Sequence, residues 1–300
     1  MKRIALMIQA VPVSQKRLAA VLVLLVLVSL AWLFRDSLSE GGIWVDSFVQ
    51  REGGWGLFFL LVFVGFCAQM IDGALGMAYG VSSTTMLLSL GIPPAAASAG
   101  VHVAEVFTTG VSGLSHLSMG NVSKKLVLSL MLPGMIGAAA GAYLLSNIDG
   151  NMIKPFVAVY LAVMGVIIIR KSIVRKVENT KNRSVAPLAV IGGFIDSVGG
   201  GGWGPVVASS LIGRGRHPRF AVGSVNLAEF FIAAVSAGTF SLFMDMTKYS
   251  LVVAGLILGG VMAAPLAAWV CRKIKPLVLM RVVGVVIILL SLRTFLLVIQ

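Results

Sequence analysis

The stretch IGGFIDSVGGGGWGPVVASS, residues 191–210, decides how this chain is read. It opens as an apolar segment, carries one acid, Asp196, and then runs through four consecutive glycines into a Gly-Pro pair. Regular helix tolerates neither feature, so an apolar helix must break there. Moved back by 124 positions, the stretch falls on CAQMIDGALGMAYGVSSTTM, residues 67–86, which places Asp72, Gly76 and Gly80 under Asp196, Gly200 and Gly204. Residues 65–124 and 189–248 match without a gap at 15 of 60 positions. Shared Leu, Val and Ala carry little weight in apolar sequence, but Gly91/Gly215, Pro94/Pro218 and Glu105/Glu229 carry much more. The chain is an internal repeat built around two glycine-rich breaks.

Composition fixes the solvent. Of 300 residues, 58% are hydrophobic and 12% charged, with a mean hydropathy of +0.99, against about 25% charged in a soluble chain. Such a chain uses lipid as its solvent, which excludes disorder, a disulfide scaffold and a coiled coil. Cys67 and Cys271 sit in or beside apolar runs and read as small core residues rather than a bridge. The net charge of +13 sits in short clusters between apolar segments, with no groove-reading motif beside them, so no nucleic-acid partner is expected.

Working outward from the breaks, each half reads as a pair of short Gly-rich segments (55–90; 186–213) followed by three long apolar helices. These are expected near 98–117, 126–145 and 153–170, then near 220–243, 250–270 and 277–299. A membrane-crossing helix needs about 20 residues, so each short pair is expected to be a hairpin or broken helix reaching only the midplane. Three full crossings per half is an odd number, which inverts the second half relative to the first. With the N-terminus inside, 19 basic residues fall in inner loops and five outside, the bias of a cytoplasmic N-terminus. The expected fold is therefore an all-α polytopic membrane protein of two inverted repeats. Its parts are an uncleaved N-terminal helix and polar loop (1–54), repeat 1 (55–170), a basic cytoplasmic linker (171–185) and repeat 2 (186–300).

Four acids remain within apolar segments: Asp72, Glu105, Asp196 and Glu229. A charge at that depth costs at least about 2.5–3.5 kcal/mol. For Asp72 and Asp196 two roles stand side by side, ion handling and capping of the helix that follows the break. Glu105 and Glu229 lie inside long helices, where a capping role is weaker. His102 precedes Glu105 by three residues and shares its helix face, while Asn226 precedes Glu229 at the same spacing. Proton sharing between His102 and Glu105 is expected, and the six polar residues form a candidate ion-coupling set. His116 and His217 are expected to be solvated.

Unpaired N–H groups at a half-helix start attract anions. Gly73, Gly76, Gly80, Gly199, Gly200, Gly201 and Gly202, with the hydroxyls of Ser82, Ser83, Thr84, Ser209 and Ser210, are accordingly the candidate substrate-binding positions. Tight packing of small residues is the competing reading. GVSG (110–113) matches the GxSG pattern of intramembrane serine proteases, but its repeat counterpart is AVSA (234–237). With no CxxC, HExxH or P-loop, no catalytic residue, metal or cofactor is expected.

The segments GFCAQMIDGALGMAYG and GGFIDSVGGGGWGP resemble the sulfite exporter TauE/SafE family, also called toluenesulfonate uptake permeases. So do GIPPAAASAGVHVAEVFTTGVSG and GRHPRFAVGSVNLAEFFIAAVSAG, and the resemblance covers about residues 55–298. It implies a secondary transporter of small sulfur-containing or organic anions, such as sulfite or sulfonates, in a bacterial inner membrane. A membrane-embedded enzyme or a membrane assembly factor is the alternative. Oligomeric state is open, with a homodimer among the arrangements.

Overall fold

The computed structural model describes residues 55–75, 77–173, 184–270 and 276–299. The expected N-terminal helix, the middle of the basic linker, Cys271 and Gly76 lie outside them. All regular structure among the described residues is helical. The first half holds α1 (Trp55–Leu75), α2 (Tyr79–Ser89), α3 (Pro94–Ser118), α4 (Lys124–Ser146) and α5 (Gly150–Ile173). The second holds α6 (Ala186–Gly199), a π-helical turn (Gly204–Ala208) leading into α7 (Ser209–Gly213), α8 (Pro218–Phe243), α9 (Ser250–Val270) and α10 (Pro276–Ile299). The six long helices fall within a few residues of the expected ranges.

Matched residues of the two halves do matched work at the helix ends. Gly91 and Gly215 both adopt positive φ, 88° and 81°. In each case the next residue's N–H returns to a carbonyl five residues back, Ile92 to Leu87 and Arg216 to Leu211. That closure favours glycine because a Cβ is strained at positive φ. Pro94 and Pro218 then open the following helices at the first position, where proline's missing N–H is not needed.

One expectation changes. The short pair at 55–90 does not begin with a half-length segment: α1 has 21 residues, and Gly56–Gly73 is apolar and long enough to cross a membrane. Lys124–Ser146, Gly150–Lys171 and Arg219–Phe243 are three further candidate spans. In the second half the first member, α6, is short at 14 residues, as expected. The difference lies in the residues before each break: Trp55–Val64 is unbroken apolar sequence, whereas Pro187 sits in the first turn of α6 just after the polar linker.

Helix packing is reciprocal between the halves. The most extensive interfaces join α1 to α9 and α6 to α4, then α3 to α8 and α5 to α10. Thus the first helix of each half packs on the fourth of the other, and the third and fifth helices pack on their own counterparts. Lipid removes most of the hydrophobic drive between helices, so small residues that admit close backbone approach hold such contacts. A Cβ on Gly165 of α5 would sit 2.9 Å from the Gly284 carbonyl oxygen of α10, and one on Gly284 would sit 2.8 Å from that of Gly165. Large apolar side chains such as Phe59, Ile136, Phe156 and Leu242 face outward, as a lipid-facing surface requires.

Candidate functional site

Both aspartates cap the helix beyond their break. The Asp196 carboxylate accepts the N–H of Trp203, seven residues on, at 2.8 Å. Asp72 accepts the N–H of Tyr79, also seven residues on. Tyr79 and Trp203 are counterparts at the offset of 124, so one local solution has been used twice. Each acid thereby satisfies an orphan donor at a buried helix start.

The two breaks touch. A Cβ on Gly80 would lie 2.6 Å from Gly201 Cα, 3.0 Å from the Gly200 carbonyl oxygen and 2.9 Å from Glu105 Oε1. Gly200 adopts φ +64°, and the Thr84 hydroxyl donates to its carbonyl. Tyr160 donates its hydroxyl to the Gly201 carbonyl at 2.5 Å. The N–H groups of Gly200 and Gly201 both go to the Asp196 carbonyl. Together with the N–H of Trp203, they serve the geometry of the break itself.

Around this crossing stand Asp72, His102, Glu105, Asp196 and Glu229, none more than 5% exposed. The four acids are close enough to act on one another's charge. His102 is held through Nδ1, 2.7 Å from the Ser98 carbonyl. Its Nε2 lies 3.2 Å from Asp196 Oδ2 and 3.9 Å from Glu105 Oε2. The expected partnership of His102 with Glu105 is thus secondary to one with Asp196. Three residues along a helix share a face, but the ring turned by the Ser98 carbonyl aims across at α6. Asn226 follows its counterpart only halfway. Its amide N–H goes to the Val222 carbonyl at 3.2 Å, and its Oδ1 accepts from Ser112 at 3.0 Å. One oxygen each of Asp72, Glu105 and Glu229 has no hydrogen-bond partner among the described residues. His102, Glu105 and Asp196 place an imidazole nitrogen and two carboxylate oxygens within 4.8 Å of one another. That set brings one proton-accepting nitrogen and two proton-accepting oxygens together.

The other candidates are spread more widely. Ser82 and Ser83 carry buried hydroxyl oxygens without a partner among the described residues. Gly73 packs against Ala267 of α9, and Gly199 and Gly202 against the Tyr160 side chain. Ser209 stands apart at the start of α7, where its hydroxyl donates to the Pro205 carbonyl of the π-helical turn and Lys171 donates to both groups. His217 is exposed, as expected. His116 corrects the expectation of a solvated ring: it is buried, with Nδ1 3.3 Å from the Asn121 amide nitrogen. The α3–α4 turn folds back over it.

Sequence reasoning passed over Tyr79, Tyr160, Ser98 and Ser197. Ser98 donates to the Ser197 carbonyl at 2.6 Å and so ties α3 to α6. Tyr160 had a usable signal, being one of only four tyrosines and lying inside an apolar run where its hydroxyl needs a partner.

The family model described as "Sulfite exporter TauE/SafE" matches residues 61–294. "Probable membrane transporter protein YtnM" of Bacillus subtilis (strain 168) is 45% identical over 244 residues, 78% of this chain and 81% of that protein. No solved structure matches. With a family match across most of its length and a transporter as a relative, the chain is a multi-pass membrane transporter and belongs to the sulfite exporter TauE/SafE family.

Proposed function

We propose that the protein is a secondary transporter of small sulfur-containing or organic anions, such as sulfite or sulfonates, coupled to an ion and working by alternating access. The observation that carries this reading is the crossing of two chain breaks, one from each half, among four buried acids and a single imidazole. Discontinuous helices meeting inside a membrane protein are where transporters place their sites. An anion brought to this cluster meets like charge unless the acids are neutralised, and at short range in a dry interior that repulsion is large. Anion and cation therefore enter together, which is coupling. The hydroxyls of Ser82 and Ser83, without a partner among the described residues, offer donors to the anion, with the glycines of the crossing allowing close approach.

Inverted halves underlie the alternation in this proposal. The reciprocal packing of α1 on α9 and α6 on α4 supports a twofold relation, and the charge bias supports inversion. The basic loop 213–219 has an uncharged counterpart at 89–95, as expected if the two lie on opposite faces. The N-terminus is then cytoplasmic and the membrane a bacterial inner membrane. The test is uptake of labelled sulfite and small sulfonates into proteoliposomes with imposed ion gradients. Gradient-driven accumulation is expected, and none with any sulfite, sulfonate or carboxylate would overturn the reading.

A further inference from the structure

The junction between α3 and α6 has a feature that its repeat counterpart lacks. His102 Nδ1 faces the Ser98 carbonyl at 2.7 Å, and a carbonyl only accepts, so Nδ1 carries a hydrogen. Nε2 faces Asp196 Oδ2 at 3.2 Å. Without a proton between them, two lone pairs would oppose each other in a site closed to water. The other Asp196 oxygen is committed to the Trp203 N–H, so the carboxylate cannot turn away without uncapping that helix. In the second half, Asn226 takes the same backbone anchor four residues back but turns its oxygen to Ser112. An amide cannot hold a titrating proton. Asp72 Oδ2, the counterpart of the Asp196 oxygen, has no partner among the described residues. The repeat is thus symmetric in backbone and asymmetric in protons.

We propose that His102 Nε2 and Asp196 Oδ2 share one exchangeable proton, and that this proton is the coupling ion and the latch between the two halves. The coupling clause rests on the transport reading above; the shared proton does not. With the proton present, α3 and α6 are joined by the His102–Asp196 bond and by the Ser98–Ser197 bond at 2.6 Å. On release, the N–H or O–H bond to the pair breaks and a new O–H bond forms on Glu105 Oε2, 3.9 Å from Nε2 and without a hydrogen-bond partner among the described residues. Nε2 and Oδ2 then repel, and the junction loosens. The groups facing the pair are Glu105 on α3, Asp72 on α1, Glu229 on α8 and Tyr160 on α5, with the Phe240 ring 6.1 Å from the imidazole.

Nitrogen NMR of histidine-labelled protein in lipid nanodiscs reads this directly. The chain has three histidines, and His116→Gln and His217→Gln each remove one of the other two signals. The expected result is an Nδ1 that stays protonated from about pH 5 to about pH 10 and an Nε2 that loses a hydrogen-bonded proton in one step within that range. A ring protonated only at Nε2, no step across the range, or an Nε2 signal that moves on chelation would overturn the shared proton; the last would assign the site to a metal ion. Asp196→Asn keeps an oxygen for Trp203 and offers an amide N–H to Nε2, mimicking the protonated pair. It should abolish the Nε2 step and lower uptake driven by one unit of pH gradient by about tenfold, the most that one proton per anion supplies. Wild-type pH-gradient dependence in that variant would overturn the coupling role. An intact NMR signature in a protein that moves no anion would instead sink the transport reading and leave the proton pair standing.

Discussion

Replacing Gly80 with alanine tests whether the two breaks truly meet. The new Cβ would lie 2.6 Å from Gly201 Cα and 3.0 Å from the Gly200 carbonyl oxygen, where ordinary contact begins at 3.4 Å. Both neighbours are backbone and have no rotamer to yield, so the segments must part by about 0.8 Å, in an interior packed too densely to absorb it. Gly200 is held by Thr84 and Gly201 by Tyr160, which places two hydrogen bonds at risk. Overpacking of this kind costs about 1–3 kcal/mol, offset by at most about 1 kcal/mol of helix propensity gained over glycine. The net loss of up to about 2.5 kcal/mol should lower the unfolding midpoint by up to roughly 4 °C for a chain of this size. The control is Gly238→Ala in α8, where nothing lies within 4 Å of the added carbon; its midpoint should hold or rise. Tryptophan fluorescence during heating in detergent, at one scan rate for all variants, measures both. A Gly80→Ala protein as stable as wild type would show that the breaks do not touch as described.

Three further outcomes are expected. Tyr160→Phe removes the 2.5 Å bond to the Gly201 carbonyl and should cost about 1–3 kcal/mol by leaving that group unsatisfied, read as a lowered midpoint in the same assay. Glu105→Gln and Glu229→Gln should retain substrate binding but weaken the dependence of uptake on the pH gradient, since a buried amide holds its neutral form at every pH; unchanged rates and pH dependence in both would make these acids structural. A reporter fused after Arg183 should read cytoplasmic and one after Gln300 periplasmic, and both on one side would refute the odd crossing count.

The sequence by itself determined the solvent, the helices and the repeat. A membrane helix declares itself through length and apolarity, both local, so the long helices could be bounded to within a few residues. The equivalence of Asp72 with Asp196 and of Glu105 with Glu229 also needed only an alignment of the chain with itself. Local capping chemistry was within reach, because an acid before a glycine break is a helix-start signal. What only the tertiary structure decided is which equivalent residues meet across the halves. Helical spacing places His102 beside Glu105, yet the ring is aimed by the Ser98 carbonyl toward Asp196, on a helix 94 residues away. The contact of Gly80 with Gly201, and the pinning of Gly201 by Tyr160, likewise depend on how α2, α5 and α6 pack. Sequence periodicity carries the faces of single helices, and a buried polar network is chosen by distances between helices that no periodicity encodes.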